Sequence, residues 1–209
     1  MPSAQDVLSF WFGPRPHGAR QVAQRMRLWF ADRAAPELMP QTDELIGERF
    51  GALMAAAARD ELSAWDSSPR RRLALILLLD PFPRHVYRGT AAACAQDGKA
   101  LSLAVSGMQF GADGALDPVE RIFFYLPLMH AESLDVQEES LAAFRRLRDE
   151  APVELRAYFE TALRLARQHH DIIARFGRFP QRNPVLGRAD TAAEREWREQ
   201  EPEAQSLDL

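Results

Sequence analysis

The chain has 209 residues, of which 46% are hydrophobic and 27% are charged, and its formal net charge is −4. This composition excludes a chain that is disordered throughout, because disorder requires low hydrophobicity together with high net charge. The apolar run Leu73–Leu79 is far shorter than the roughly 18 residues that a transmembrane helix needs. We therefore expect a soluble globular protein with no membrane partner.

At roughly 100–200 residues per domain, the length predicts a single domain over residues 1–200, with residues 201–209 as a flexible C-terminal tail. The pI of about 5.8 argues against a nucleic-acid partner, since the longest basic run is Arg70–Arg72. Cys94 is the single cysteine, and the first nine residues do not resemble a signal peptide. Both observations favour a cytoplasmic protein, because disulfides are rare in that reducing compartment.

Helical signals dominate the first half of the chain. Ser3 and Asp6 resemble a capping box, and proline or glycine follows each helical stretch. Because the segment Leu73–Leu79 is apolar on all sides, we expect its helix to be central and fully buried. The predicted helices are residues 3–12, residues 20–30, a longer helix after Pro36 and Pro40 that is capped by Thr42, a helix that starts at Ser68 and Pro69 and is ended by Pro81 and Pro83, and residues 90–110.

The second half continues the same pattern. Asp117 and Glu120 again resemble a capping box, and Gly177 can close the longest helix. The predicted helices are residues 117–126, where Pro127 kinks or ends the helix, residues 133–149, residues 152–177, and a short helix capped by Thr191 and Glu194. No segment alternates between apolar and polar residues with a period of two. The sequence thus predicts an all-α domain of about eight to ten helices in antiparallel pairs.

Asp80 is placed unfavourably. It follows the apolar helix directly, where burial and the negative end of the helix dipole both oppose a carboxylate. A partner is therefore needed, and Arg84 and Arg88 are the nearest cations in sequence. The segment Asp80–Gly89 can be part of a functional site, or Asp80 can simply fix this predicted loop.

An arginine-rich segment follows the longest helix. Its four arginines, Arg175, Arg178, Arg182 and Arg188, are interleaved with phenylalanines and glycines. An irregular loop of this composition can present guanidinium groups to phosphate or carboxylate. The alternative is that these arginines pair with acids of the chain and anchor the loop.

Two histidines fall on apolar helix faces. His130 continues the face of Phe123 and Leu126, and His170 continues the stripe from Phe159, while His169 should point about 100° away into solvent. A histidine on such a face is often only a core residue. The spacing of His130, Glu132 and His170 matches no metal motif, so we predict no metal site and no cofactor. Nucleophile elbows, phosphate-binding and dinucleotide-binding loops are absent from the sequence as well.

Three ordered motifs carry a resemblance to a known family. They are LLLDPFPRHVYRG at 77–89, ERIFFYLPLMHAE at 120–132, and HDIIARFGRFPQRNPVLGR at 170–188, with FWFGP at 10–14 in addition. Over residues 4–198 the chain resembles the bacterial "domain of unknown function 924" family. This resemblance implies an all-helical fold similar to tetratricopeptide-like superhelices, and it implies no established activity. The chain departs from the family pattern at Pro81, His85 and Gln181, where glutamine, asparagine and histidine are common, and the last departure argues against a metal ligand at that position.

The sequence leaves two functions open. The first is a polar pocket for a small phosphorylated or carboxylated ligand, with acid–base chemistry. Its predicted binding residues are Arg84, Arg88, Tyr125, Arg175, Arg178, Arg182 and Asn183, and its predicted proton-handling residues are Asp80, His130, Glu132 and His170. The second is a tetratricopeptide-like scaffold that binds a protein segment, in which the same polar residues are structural. Neither the reaction nor the oligomeric state is predicted.

Overall fold

The computed structural model describes residues 1–29 and 39–201 and confirms an all-α fold, with no strand in those ranges. These residues form ten α-helices, within the predicted number. They are α1 (Ala4–Phe12), α2 (Ala19–Trp29), α3 (Met39–Ala58), α4 (Pro69–Leu79), α5 (Pro81–Val86), α6 (Asp97–Gln109), α7 (Pro118–Met129), α8 (Leu134–Asp149), α9 (Arg156–Phe176) and α10 (Ala192–Gln200). The predictions for Phe30, for Pro36 and for residues 202–209 fall outside the described residues.

Side-chain caps define several of these helices, as predicted. In each capping box the N-cap side chain accepts a backbone N–H of the first turn, and an acidic side chain accepts the N-cap N–H. The three pairs are Ser3 with Asp6, Asp117 with Glu120, and Thr191 with Glu194. Gly177 closes α9 in the left-handed conformation, at a φ of 69°.

Other predicted boundaries are wrong. Helix α3 begins at Met39, so Thr42 lies inside it, and α6 begins at Asp97, after a short 3-10 turn that follows Thr90. The predicted loop after Asp80 is instead helix α5. Pro81 occupies its first turn, where a missing backbone N–H costs nothing and the fixed φ of proline favours a helix.

Helix α4 is the centre of the core, as its uniformly apolar sequence predicts. Every residue from Leu73 to Leu79 is buried, and the helix packs against α1, α3, α6 and α7. The main hydrophobic cluster extends from α1 to the middle of α9. A smaller cluster of Ile172, Ile173, Phe179 and Trp197 joins the end of α9 to α10.

Helices α7 and α8 form an antiparallel pair. At one end of the pair, Nη1 of Arg121, near the start of α7, donates to Oε2 of Glu150, just after α8, at 3.3 Å. At the other end, Nε2 of Gln137 donates to the carbonyl of Met129 at 2.7 Å. Helix α9 packs along α8 after a short connection. Similarity to a tetratricopeptide-like superhelix stays a prediction. No helix in the described residues is long and apolar enough to cross a membrane.

We predict that Gly107→Ala destabilises the protein by about 1–3 kcal/mol, because the added methyl group overpacks the contact between α6 and α7. A Cβ at this position would lie 2.5 Å from Cζ of Phe124, a fully buried ring, and 3.0 Å from Cδ of Arg72. Urea unfolding at neutral pH measures the change.

The matched control is Gly98→Ala in the same helix, where a Cβ meets no atom within 4 Å. We expect this variant to be as stable as the wild type or up to about 1 kcal/mol more stable, because alanine favours a helix over glycine. Equal unfolding midpoints for the two variants would contradict the close contact at Gly107.

Candidate functional site

The Asp80 carboxylate is completely buried at the end of α4 and is paired, as its position requires. Its Oδ1 accepts Nε of Arg84 over 2.7 Å, and its two oxygens lie 2.8 and 2.9 Å from Nδ1 of His130. Helix α5 brings Arg84 into place because four residues, about one helical turn, separate it from Asp80. His130 comes from the C-terminal end of α7.

Asp97 and Arg182 extend this pairing. Arg84 Nη2 donates to both oxygens of Asp97 at 2.8 Å, and Arg182 Nη1 donates to Oδ2 of Asp97 at 3.2 Å. The same Arg182 nitrogen donates to the carbonyl of His130 at 3.2 Å. We call Asp80, Arg84, Asp97, His130 and Arg182 the central ion cluster. It joins the ends of α4 and α7, helix α5, the start of α6 and the segment after α9.

Electrostatics fix the charge of Asp80. Burial by itself would raise the pKa of Asp80, but His130 and Arg84 outweigh burial and hold the pKa well below its usual range. Because an ionised carboxylate only accepts hydrogen bonds, Nδ1 of His130 carries the proton. When His130 is neutral, its Nε2 is therefore a hydrogen-bond acceptor. This is the tautomer that a general base requires.

Asp97 behaves differently. Burial raises the pKa of Asp97, and the neighbouring Asp80 adds to this effect, against the opposing influence of Arg84 and Arg182. The side chain of Asp97 is 19% exposed, whereas Asp80 and His130 are almost completely enclosed. Asp97 is thus the member of the central ion cluster that faces solvent.

A second set of polar contacts holds the loop after α9 in place. Arg188 donates two hydrogen bonds to the carboxylate of Glu132, at 2.7 and 2.9 Å. Glu132 also accepts the backbone N–H of Phe179 at 2.8 Å. Burial would raise the pKa of Glu132, but Arg188 and this N–H lower it. Asn183 accepts Nε of Arg188 and donates to Asp190. Glu132 and Asn183 therefore hold the loop next to the central ion cluster.

Arg178 anchors the last helix. Its Nε and Nη2 donate to the two oxygens of Glu194 at 2.6 and 2.8 Å, and Glu194 is buried at the start of α10. Hydrogen bonding to Arg178 lowers the pKa of Glu194 to about 2. This contact corresponds to the alternative, structural interpretation of the arginine.

Like Arg178 and Asn183, three further predicted binding residues have their polar or ring contacts outside the central ion cluster. Arg88 pairs with Asp43, which also contacts His85. The Tyr125 hydroxyl donates to Asp113. The side chain of Arg175 is 51% exposed and lies beside the ring of Phe176.

The prediction for the histidines of α9 is wrong. His169 is buried, its Nδ1 lies 2.8 Å from the carbonyl of Leu165, and its ring centre is 5.9 Å from that of His130. His170 is partly exposed and contacts Asp171. The reason is that α9 changes partners: its first half packs on the main core and its last turns pack on Phe179 and α10, so the buried face shifts around the helix.

Sequence analysis therefore missed Asp97 and His169 as neighbours of the site. The predicted helix begins at Thr90, which would place Asp97 in its interior, whereas α6 begins at Asp97. The Asp97–Gly98 pair was the available signal for the true start. Nothing local to His169 predicts its burial. The residues that the structure describes include no group of three or more His, Cys, Asp or Glu side chains that could hold a metal ion.

Comparisons with known proteins agree with this fold. A family model described as "Bacterial protein of unknown function (DUF924)" matches residues 7–201. A solved structure of a protein of unknown function from Agrobacterium tumefaciens is 36% identical, with a TM-score of 0.75, and the match covers 94% of this chain and 97% of that one. No curated protein matches the sequence significantly.

We predict that Arg178→Ala removes stability at neutral pH and that the loss shrinks in acid. Because the pKa of Glu194 is depressed from 4.5 to about 2, its pairing stabilises the fold fully above pH 4.5, and this contribution disappears as the pH falls towards 2. Urea unfolding at pH 7 and at several pH values between 4.5 and 2 should show the wild-type and variant curves converging.

Arg175→Ala is the matched control, since Arg175 is largely exposed and its Nη1 lies 4.0 Å from Oε1 of Glu201. It should follow the wild type at every pH. A stability difference for Arg178→Ala that does not change with pH would show that its guanidinium is not what depresses the pKa of Glu194.

Proposed function

The chain belongs to the DUF924 family of bacterial proteins, whose function is unknown, and we propose that it binds a small anionic ligand beside His130 and transfers a proton to or from it. The observation that carries this proposal is the buried contact between Asp80 and His130. Of the two ring nitrogens of His130, only Nδ1 has a hydrogen-bond partner within residues 1–29 and 39–201. The other nitrogen, Nε2, is therefore left to react.

The pairing gives His130 the properties of a general base. Asp80 holds the imidazole in one orientation and in one tautomer, and its negative charge stabilises the imidazolium that forms when Nε2 accepts a proton. In the reverse direction the same imidazolium donates the proton. The positive charge that then forms on His130 is compensated, because it arises next to the existing carboxylate of Asp80.

The surrounding cations favour an anionic ligand. Arg84 shares the Asp80 carboxylate with His130, and Arg182 donates to the His130 carbonyl. Asp97, the shared partner of the two arginines, is the member of the central ion cluster that reaches solvent. Guanidinium groups bind carboxylate and phosphate with two parallel hydrogen bonds. Glu132 supports the site indirectly, through the backbone of Phe179.

The alternative function is a helical scaffold that binds a protein segment. Its supporting observation is that Arg84, Arg178, Arg182 and Arg188 all pair with carboxylates of the chain. Under this alternative the central ion cluster only holds helices together. The two functions differ in their response to small anions.

The test is a thermal-shift screen with inorganic phosphate, succinate, and phosphorylated carboxylic acids, with divalent metals plus a chelator as separate arms. A ligand at a hundred times its Kd adds about 2.7 kcal/mol, which is roughly 5–10 °C for a chain of this size. We expect a shift of this order from at least one anion, and its loss in His130→Gln. Calorimetry in two buffers of different ionisation enthalpy then measures the proton that moves on binding.

The control is His170→Gln, which changes a partly exposed histidine on α9 and should keep the full shift. If no anion in the screen stabilises the protein, the scaffold is the better explanation. A shift of equal size in His130→Gln would leave binding intact but would remove His130 from the site.

A further inference from the structure

The Asp97 carboxylate lies between two arginines that come from distant parts of the chain. Arg84 on α5 reaches both of its oxygens, and Arg182, in the 3-10 turn Pro180–Arg182, reaches one of them. Two guanidinium groups that converge on one carboxylate form the arrangement by which proteins recognise carboxylate ligands. Here the carboxylate belongs to the protein itself.

Each arginine is also held in place without Asp97. Nε of Arg84 donates to the fully buried Asp80, and Arg182 donates to the carbonyl of His130. The guanidinium carbon of Arg182 lies 4.4 Å from the ring centre of Phe179, as in a cation–π contact. Both groups would therefore keep their positions if the Asp97 side chain moved away, and a ligand would not have to order them.

Asp97 is the least constrained member of the central ion cluster. Its side chain is 19% exposed, compared with 1% for Arg84 and 7% for Arg182. It is the first residue of α6, and Gly98 follows it. Among the described residues its carboxylate has hydrogen bonds only to these two arginines. Since the ends of helices open more readily than their interiors, Asp97 can leave at the smallest structural cost.

We propose that Arg84 and Arg182 form the binding site for a carboxylate group of a small-molecule ligand, and that Asp97 fills this site as an internal competitor until the ligand replaces it. This inference rests on the proposed function and names the group that is recognised. The charges favour a carboxylate over a phosphate dianion. Asp80 and Asp97 balance the two arginines, so exchange of one carboxylate for another keeps the cluster neutral, and the second carboxylate of a ligand such as succinate can stay in solvent. A phosphate dianion carries both charges on one group and would leave a buried negative charge.

The test measures succinate binding by calorimetry for the wild type and for Asp97→Ala. Removal of the internal competitor should lower the Kd for succinate by at least about tenfold, and the additional change Arg182→Ala should abolish this gain. Inorganic phosphate should gain less than succinate. An unchanged succinate Kd in Asp97→Ala would overturn the proposal, and an equal gain for phosphate would overturn the assignment to carboxylates.

The matched control is Asp43→Ala. Asp43 is also a partly buried carboxylate, paired with Arg88 and His85, but among the described residues only one arginine contacts it. Its removal should not create a succinate site. If Asp43→Ala gains as much affinity as Asp97→Ala, the gain reflects net charge rather than a pair of arginines, and the proposal fails.

Chemical rescue is the test if Asp97→Ala folds poorly, because acetate carries the carboxylate group that this variant lacks. Sodium acetate should raise the Tm of Asp97→Ala more than sodium chloride of equal ionic strength, and it should not do so for Asp43→Ala. Equal effects of the two salts would overturn the proposal.

A His130→Gln change separates the two hypotheses. If succinate binds tightly to Asp97→Ala both with and without this change, the result supports the carboxylate site and contradicts the proposed role of His130. If the wild-type response to anions depends on His130 but Asp97→Ala gains no affinity for succinate, the result supports the proposed function and contradicts the role of Asp97 as a competitor.

Discussion

The carboxylate of Asp80 lies where both burial and the dipole of α4 oppose a negative charge. An unpaired charge there would cost several kcal/mol, a large part of the stability of an ordinary domain. The pairing that prevents this cost draws Arg84 from α5 and His130 from α7. Arg84 also donates to Asp97, and Asp97 accepts a hydrogen bond from Arg182 as well. One unfavourable charge at the end of the central helix thus determines how five segments of the chain meet.

The arginine-rich segment after α9 uses similar side chains for different purposes. Arg178 holds α10 through Glu194, and Arg188 holds the loop through Glu132. Arg182, between them, belongs to the central ion cluster. The outer two arginines fix the loop on both sides, and this gives Arg182 its position. The composition of the segment alone does not separate these roles, because only the partner of each guanidinium group distinguishes an anchor from a binding group.

What the sequence predicted correctly is mostly local. A capping box such as Ser3 with Asp6 is decided within four residues, and the apolar stretch of α4 fits only a core. The need of Asp80 for a partner was also visible, because it follows from that stretch. The burial of His169 was not, since it depends on Phe179, a residue ten positions away that packs on the helix from a separate segment. The place of Asp97 in the site likewise depends on contacts with residues 13 and 85 positions away.

The carboxylate partners of Arg84 and Arg182 do not by themselves argue against a ligand site. Bringing a bare guanidinium into the core is costly, so a binding arginine in an empty site is expected to hold some internal anion. The useful distinction is whether that anion can leave. Glu194 completes the capping box of α10 with Thr191, so its departure would also break a helix start. Asp97 closes no such box; its carboxylate hydrogen-bonds only to Arg84 and Arg182 among the described residues, and it faces solvent. By this criterion Arg178 is an anchor, and the pair Arg84 and Arg182 is the place where a ligand can exchange with the protein.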